Sequence, residues 1–296
     1  MVAESRHAPE TIVVLGGTGK TGRRVVERLR ALHGPVRVGS RSGHTPFDWE
    51  DPATWSPALH GAAAAYVSFY PDLAVPGAAE TIGALAEQAT DGGTRRLVLL
   101  SGRGEEEAQR AERALQDSGA EWTVVRCSWF SQNFSESYFL EPVLAGELAL
   151  PAGDMAEPFV DVEDIADVAV AALTDDGHAG QVYELTGPRL LTFAEAVDEI
   201  GRATGRELRY VPVSMEAFAS DMAEQGVPAD VVGLLRTSSP RSWTDATPRS
   251  PTVCREPSAA SRETSPTMRG RPPPQVSGTC SCQVVRMSAS QDTSTM

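Results

Sequence analysis

A buried strand that runs into a glycine-spaced turn and then an amphipathic helix leaves a chain few folds to choose from. Such a stretch is Thr11-Ile-Val-Val-Leu-Gly-Gly-Thr-Gly-Lys-Thr-Gly22, continuing as Arg23-Arg-Val-Val-Glu-Arg-Leu29. Val13, Val14 and Leu15 form the apolar run, and Val25, Val26, Leu29 and Leu32 recur at helical spacing. Between them, Gly16, Gly19 and Gly22 recur at every third position. In such a turn one glycine makes the tight bend, one lets a pyrophosphate approach the backbone, and one lets the helix pack close to the strand. The free N–H groups and the dipole of the helix start then hold the anion. Gly16, Gly17, Thr18, Gly19, Lys20, Thr21 and Gly22 are therefore expected to bind a dinucleotide. The plainer alternative is an ordinary strand–turn–helix with glycines for the turn. Gly19-Lys20-Thr21 also ends like a triphosphate-binding loop. That loop needs a glycine five residues before Gly19, where Val14 stands inside the strand.

The chain beyond keeps the same rhythm. Strands are expected at Val36–Arg41, Ala62–Phe69, Arg95–Ser101 and Glu121–Arg126, with helices over about 75–90 and Glu105–Asp117. Phe47–Trp49 reads as a short third strand, and Asp51-Pro52 opens a helix through Leu59. This alternation predicts an α/β fold: a Rossmann-type, doubly wound parallel sheet. Ligands of such sheets sit beyond the carboxyl ends of the strands. Ser68–Tyr70, Ser101–Gly104 and Arg126–Phe134 are thus expected to face one crevice.

From about residue 128 the rhythm loosens. Leu148–Pro151 and Pro158–Val160 read as short strand pieces, and Ile165–Leu173 as a helix capped by Asp161 or Asp164. Gln181–Leu185 and Glu207–Val211 read as strands. Thr192 and Glu195 fit a capping box before a helix over Ala194–Thr204. Met215–Gln225 and Pro228–Leu235 read as the last helices. The expected organisation is a loose leader over 1–10, then one domain over 11–236 whose residues 128–236 form a smaller C-terminal substrate lobe.

The end of the second strand selects the cofactor. An acid there favours NAD(H), because it accepts hydrogen bonds from the ribose 2′-hydroxyl. Here the end is Ser40-Arg41-Ser42, with no acid until Asp48. A guanidinium pairs with a 2′-phosphate and stacks on adenine, so NADP(H) is expected over NAD(H), with Ser40, Arg41 and Ser68 bordering it. The bland alternative for Arg41 is a solvated loop side chain. For Asp48, a contact to the adenine amino group and a place at a helix start both stay open.

Charge and cysteine usage exclude other classes. Residues 1–236 carry 19 basic and 36 acidic side chains, a balance of −17, and the last 60 carry 7 and 4, a balance of +3. An acidic body with no basic run is not expected to bind nucleic acid directly. No apolar run approaches membrane-spanning length, and the first residues lack the apolar core of a signal peptide. Only Cys127 precedes residue 254, so no disulfide framework is expected and a cytoplasmic setting is the default. His7, His33, His44, His60 and His178 show no ligand spacing, so no metal site is expected. The oligomeric state is not legible.

After Arg236 the composition breaks. Residues 237–296 contain no Leu, Ile, Phe or Tyr, and Ser, Thr and Pro supply 29 of the 60. Such a segment cannot bury a core and reads as disordered. Two origins stay open: a natural linker-like tail, or a shifted reading frame. Read from each third base, the codons of Thr237–Asp245 permit Leu-Phe-Thr-Glu-Val-Leu-Asp-Gly, whose Asp is forced by Trp243 before Thr244.

The Gly16–Gly22 loop, the Arg41 strand end, Arg126-Cys-Ser-Trp-Phe-Ser-Gln-Asn-Phe134 and Phe159-Val-Asp-Val-Glu-Asp-Ile-Ala-Asp167 together resemble the NmrA-like atypical short-chain dehydrogenases. Within them the chain looks closest to the ergot-alkaloid-type iminium reductases and their bacterial relatives, over about residues 10–236. The resemblance implies an extended short-chain dehydrogenase fold, NADP(H) and hydride transfer to a small organic acceptor. Some relatives reduce imines, quinones or azo dyes. Others bind the cofactor as redox sensors without turnover. The peptide of the alternative frame also looks like the family's next segment.

The chemistry carries one exclusion. Ordinary short-chain dehydrogenases use Tyr-x-x-x-Lys, whose tyrosine protonates the carbonyl. The sole lysine here is Lys20, so that dyad does not exist. An iminium or quinone acceptor is more compatible, because hydride delivery then needs positioning rather than a strong acid. Substrate-pocket candidates are Tyr70, Ser101 and Trp129 beside the nicotinamide and acceptor, with Phe130 and Phe134 as an apolar wall. Core packing is the alternative for these aromatics. Arg126 either binds a ribose or acidic substrate or pairs with an acid, and Cys127 reads as a buried apolar residue.

Overall fold

In the computed structural model, residues 10–32, 34–136, 139–224 and 283–288 are described. The strands are β1 (Thr11–Leu15), β2 (Val36–Ser40), β3 (Thr45–Pro46), β4 (Ala62–Val67), β5 (Arg96–Gly102), β6 (Glu121–Cys127), β7 (Glu147–Leu150), β8 (Ala156–Glu157), β9 (Gln181–Thr186), β10 (Leu191–Thr192), β11 (Arg209–Pro212) and β12 (Gln283–Ser288). The helices are α1 (Lys20–Ala31), α2 (Trp55–Leu59), α3 (Ala78–Asp91), α4 (Glu106–Asp117), α5 (Asn133–Glu136), α6 (Leu140–Ala145), α7 (Val162–Thr174), α8 (Phe193–Thr204) and α9 (Met215–Glu224).

The central sheet has the order β3-β2-β1-β4-β5-β6-β9, all parallel, with β12 antiparallel on β9. Leu15 is in register with Gly39 on one side and Val67 on the other. The chain order reverses between β1 and β4, so their carboxyl ends open a crevice. Alternation along the strands separates two cores. Val13, Leu15, Val67, Leu97 and Leu99 pack with Ile82, Leu85 and Leu115 of α3 and α4. Val14, Val98 and Val125 pack on the opposite face with Val25 and Leu29 of α1 and Ile165 and Ala169 of α7. Both faces are covered, which is why these strands are apolar at nearly every position. Each fully buried Leu or Ile contributes roughly 2 kcal/mol.

The smaller lobe rests over the strand ends. Its β7 and β11 pair in parallel and its β8 and β10 antiparallel. Its own core is Phe134, Leu148, Leu150, Phe193 and Val197, with Trp129, Phe139 and Phe159 packed against it. The capping box holds α8: Thr192 Oγ1 accepts from Glu195 N–H at 3.1 Å, and Glu195 Oε2 accepts from Thr192 N–H at 2.8 Å.

Several boundaries differ from expectation. The third strand lies at Thr45–Pro46 rather than Phe47–Trp49, because the bulky Phe47 turns into the core at 3% exposure. β8 ends before Pro158, which has no N–H for a ladder, and Val160 makes only an isolated bridge to Phe130. Asp161 is the cap of α7, accepting from Glu163 N–H at 2.8 Å, so Asp164 lies within the first turn. Disorder expected through the tail gives way at Gln283–Ser288, which pairs with the open edge of β9 from Gln283↔Thr186 to Ser288↔Gln181. That stretch holds the tail's one Val-Val pair, suited to a strand. The leader over 1–9, the helix expected over 228–235 and the rest of the tail lie outside the described residues. Among the described residues no helix is long and apolar enough to cross a membrane.

Candidate functional site

The glycine turn is built as its spacing requires. Gly16 has φ +77°, a region L side chains rarely enter, and it lies against Ser68 at the end of β4. A Cβ on Gly22 would stand 2.2 Å from the carbonyl oxygen of Gly16, so only glycine lets α1 approach the turn. A Cβ on Gly19 would have one neighbour within 4 Å, the Gly16 oxygen at 3.3 Å, so the backbone there is open. Gly19 heads α1 without a side-chain cap, and the first turn carries no acid. The first helical bond runs from Arg23 N–H to Gly19 O at 3.1 Å, ahead of which the N–H groups of Lys20, Thr21 and Gly22 lead the helix. An open backbone and an uncapped positive helix end fit a pyrophosphate.

Thr21 takes a different part from the one expected of a phosphate ligand. Its hydroxyl is buried and accepts from Tyr66 OH at 2.9 Å, and burial pushes the Tyr66 phenol well above its ordinary value. Lys20 Nζ donates to Asn133 Oδ1 at 2.5 Å and lies 5.9 Å from the centre of the Phe130 ring. Burial lowers its pKa, partly offset by Glu136. Thr18 is exposed at the turn.

At the end of β2, the Arg41 guanidinium sits 5.2 Å over the ring of Tyr70, which is 61% exposed in the loop after β4. Arg41, Gly16 and Ser68 thus stand at three adjacent strand ends. Ser40 O accepts from Phe47 N–H at 3.1 Å, turning the chain after β2. Asp48 shapes the next turn: its Oδ1 accepts from Glu50 N–H at 3.1 Å and its carbonyl from Trp55 Nε1 at 2.7 Å. Asp51, not Asp48, opens the following helical turn by accepting from Ala53 N–H. Trp49 packs between Phe47 and Phe69 at 4.9 and 4.8 Å, an aromatic wall that periodicity does not single out.

The candidates placed beside the acceptor divide. Ser101 is turned away from the crevice, buried, and donates to Glu112 Oε1 at 2.5 Å. Arg126 binds the same carboxylate through both oxygens and lies 3.7 Å from Glu184, so its role is an ion pair. That network continues through Glu184 to Arg103 Nε at 2.9 Å. Phe134 is a core residue of the small lobe, packed on Phe139, Phe159 and Phe193. Trp129 stacks on Phe139 at 6.0 Å and meets Phe193 edge-on at 5.3 Å. Cys127 is buried, as read. Phe130 and Tyr70 remain at the crevice.

Sequence reading missed two carboxylates and a charge ladder. Glu105, just before α4, folds against Gly102, where a Cβ would meet its Oε2 at 2.1 Å. Burial, and then the charge of Asp72, push the Glu105 carboxyl up to about 8. Burial pushes Glu157 on β8 up to about 7. Along α1, Arg23 and Arg24 pair with Glu136, Arg24 and Arg28 with Glu163, and Arg28 with Asp167. The ladder ties the phosphate helix to α5 and α7. The acids at 163 and 167 lie in the quoted Phe159–Asp167 stretch, but their partners are set by tertiary packing.

Comparison with known proteins agrees with this geometry. The NAD(P)H-binding family profile matches residues 16–176. Agroclavine dehydrogenase of Claviceps fusiformis is 32% identical over 74% of this chain and 82% of its own length. An NAD(P)H azoreductase of Xenophilus azovorans is 30% identical over 78% of this chain and 88% of its own. Among solved structures, an NADPH-dependent quinone oxidoreductase of Escherichia coli shares the fold with a TM-score of 0.62 and 23% identity, over 78% of this chain and 89% of its own. The crevice at the sheet reversal, the uncapped phosphate turn and these likenesses place the chain in one group: it belongs to the NAD(P)H-binding, NmrA-like family of oxidoreductases.

Proposed function

We propose that the protein is an NADP(H)-dependent reductase of a small, flat organic acceptor of iminium or quinone type, working without a Tyr-x-x-x-Lys dyad. The observation that carries this reading is the position of the sole lysine. Lys20 lies in the phosphate turn, committed to Asn133, and no other lysine exists to tune a catalytic tyrosine. When bound, the cofactor supplies the hydride. The chain's residues bind, orient and shield. Gly16, Gly17, Thr18, Gly19 and the leading N–H groups of α1 seat the pyrophosphate. Arg41, free to leave the Tyr70 ring, pairs with the 2′-phosphate, which favours NADP(H) over NAD(H). An iminium then needs only hydride. A quinone needs a proton as well, and Glu105, between β5 and α4, is a carboxyl that still holds one near neutral pH. The relatives support a small organic acceptor, since their names include an agroclavine dehydrogenase and an NAD(P)H azoreductase.

The test is titration with NADPH and NADH followed by tryptophan fluorescence, then NADPH oxidation with a panel of cyclic iminium salts and quinones. Tighter NADPH binding and turnover of at least one acceptor are expected. Tight binding with no turnover across the panel would instead make the protein a non-catalytic NADP(H)-responsive regulator. Equal affinity for both cofactors would refute the Arg41 assignment.

A further inference from the structure

Among the described residues, the small lobe buries one acidic side chain that no hydrogen bond or ion pair explains. Glu157, at the end of β8, is 4% exposed. Among the described residues, its carboxylate enters no hydrogen bond or ion pair. Nearly all of the residue is covered. A buried acid in this condition holds its proton well above the ordinary range, and this one does.

Its surroundings locate it. The carbonyl of Pro158, next in the chain, accepts from Ser128 Oγ at 2.5 Å and from Gly187 N–H at 2.8 Å. Those donors stand just beyond the ends of β6 and β9. Val160 O accepts from Ser131 N–H at 2.9 Å, and Val160 bridges Phe130, whose ring neighbours Lys20. Residues 156–160 therefore cross the strand ends from β9 toward the phosphate turn. From the sheet side, the guanidinium of Arg103, in the loop after β5, acts on the Glu157 carboxylate. Arg103 is already engaged by Glu184 at 2.9 Å. Glu157 thus stands on the segment that crosses the strand ends, on the half of the sheet where the nicotinamide end of a dinucleotide belongs, and the cation that acts on it is engaged by Glu184.

An unpaired carboxylate in a poorly hydrated wall is costly, and a cation from outside removes the cost. We propose that Glu157 is the specificity-determining residue for a cationic acceptor. It holds the positively charged nitrogen of a flat ring against its carboxylate, between β8 and the Arg103 loop. A neutral acceptor of the same size gains nothing there. The assignment takes the acceptor site from the reductase reading, but concerns binding rather than turnover.

The test separates the two. The full chain, loaded with NADP+ so that no hydride is available, is titrated with a cyclic N-alkyl iminium salt and with a neutral quinone of similar size. The parent should bind the iminium about tenfold or more tighter, the range of a charge-assisted contact. Glu157→Gln should lose that preference, leaving the quinone and NADP+ dissociation constants unchanged. If the parent shows no preference for the cation, or the Gln variant keeps it, the assignment is overturned. So it is if both acceptors weaken equally. A Glu157-dependent preference without NADPH oxidation by either acceptor would uphold the assignment and refute the reductase reading.

Discussion

Replacing Glu157 with Gln should stabilise the protein, by an amount set by pH. The carboxyl is pushed from 4.5 up to about 7 because burial penalises its charge, and the attraction of Arg103 recovers only part of this. The sign follows from where protons reside. Between about pH 4.5 and 7 the unfolded chain releases this proton while the folded chain keeps it, so stability falls as pH rises and levels off above 7. At about 1.4 kcal/mol for each pH unit, the loss reaches about 3 kcal/mol near pH 8. Gln has nearly the same shape and never ionises. The two proteins should therefore be equally stable near pH 4.5 and about 3 kcal/mol apart near pH 8. For a domain of this size that is roughly 6–12 °C in Tm. Urea unfolding followed by tryptophan fluorescence, repeated from about pH 5 to 9, measures the difference. A gap that does not widen with pH, or a variant less stable at the alkaline end, would show that the carboxylate is neither dry nor unpaired. The cation site would then lose its physical basis.

Arg41→Ala should weaken NADPH about tenfold to a hundredfold, the range for a charge-assisted phosphate contact, and change NADH by less than about twofold. Fluorescence titration with both cofactors checks this, and an equal loss would place Arg41 off the 2′-phosphate. Glu105→Gln should leave NADPH binding intact and lower quinone turnover about a hundredfold. In the parent, quinone turnover should fall as pH rises through about 8, because the proton held by Glu105 is then lost. A parent profile flat across that range would remove Glu105 from the reaction. Gly22→Ala drives a methyl onto the Gly16 carbonyl and should cost about 3 kcal/mol as well as cofactor binding. Thermal unfolding with and without NADPH reads both effects, and a variant that binds normally would refute the close-packing argument.

What could be read without coordinates was local. The turn around Gly16, Gly19 and Gly22 is specified by backbone sterics within a few residues, so spacing alone predicts it. The capping box at Thr192 and Glu195 is local in the same way. Ser101 shows the limit. Its place at a strand end suggested the crevice, yet it shares a face with Leu97 and Leu99 and so faces α4, which period-two reasoning already implies. For Phe134 and Trp129 the sequence left core packing and crevice both open. Aromatic content does not say which side of a lobe a ring faces, and the packing of Phe139, Phe159 and Phe193 decided it. Glu157 was beyond reach, because its condition depends on a loop and a lobe from distant parts of the chain meeting over the sheet.

The pairing of Arg23, Arg24 and Arg28 with Glu136, Glu163 and Asp167 sorts the cofactor's contacts into two electrical kinds. Arg23, Arg24 and Arg28 are already paired with acids, so on the proposed reading the pyrophosphate is held mainly by fixed backbone dipoles, with Lys20 beside them. Dissolved ions compete weakly with these. Arg41 is exposed, and the hold proposed for it on a 2′-phosphate would be a contact between mobile charges in water, which salt screens. On the proposed reading cofactor choice is a function of the medium: raising ionic strength should erode an advantage of NADPH while leaving NADH nearly untouched, so that the two affinities converge in concentrated salt.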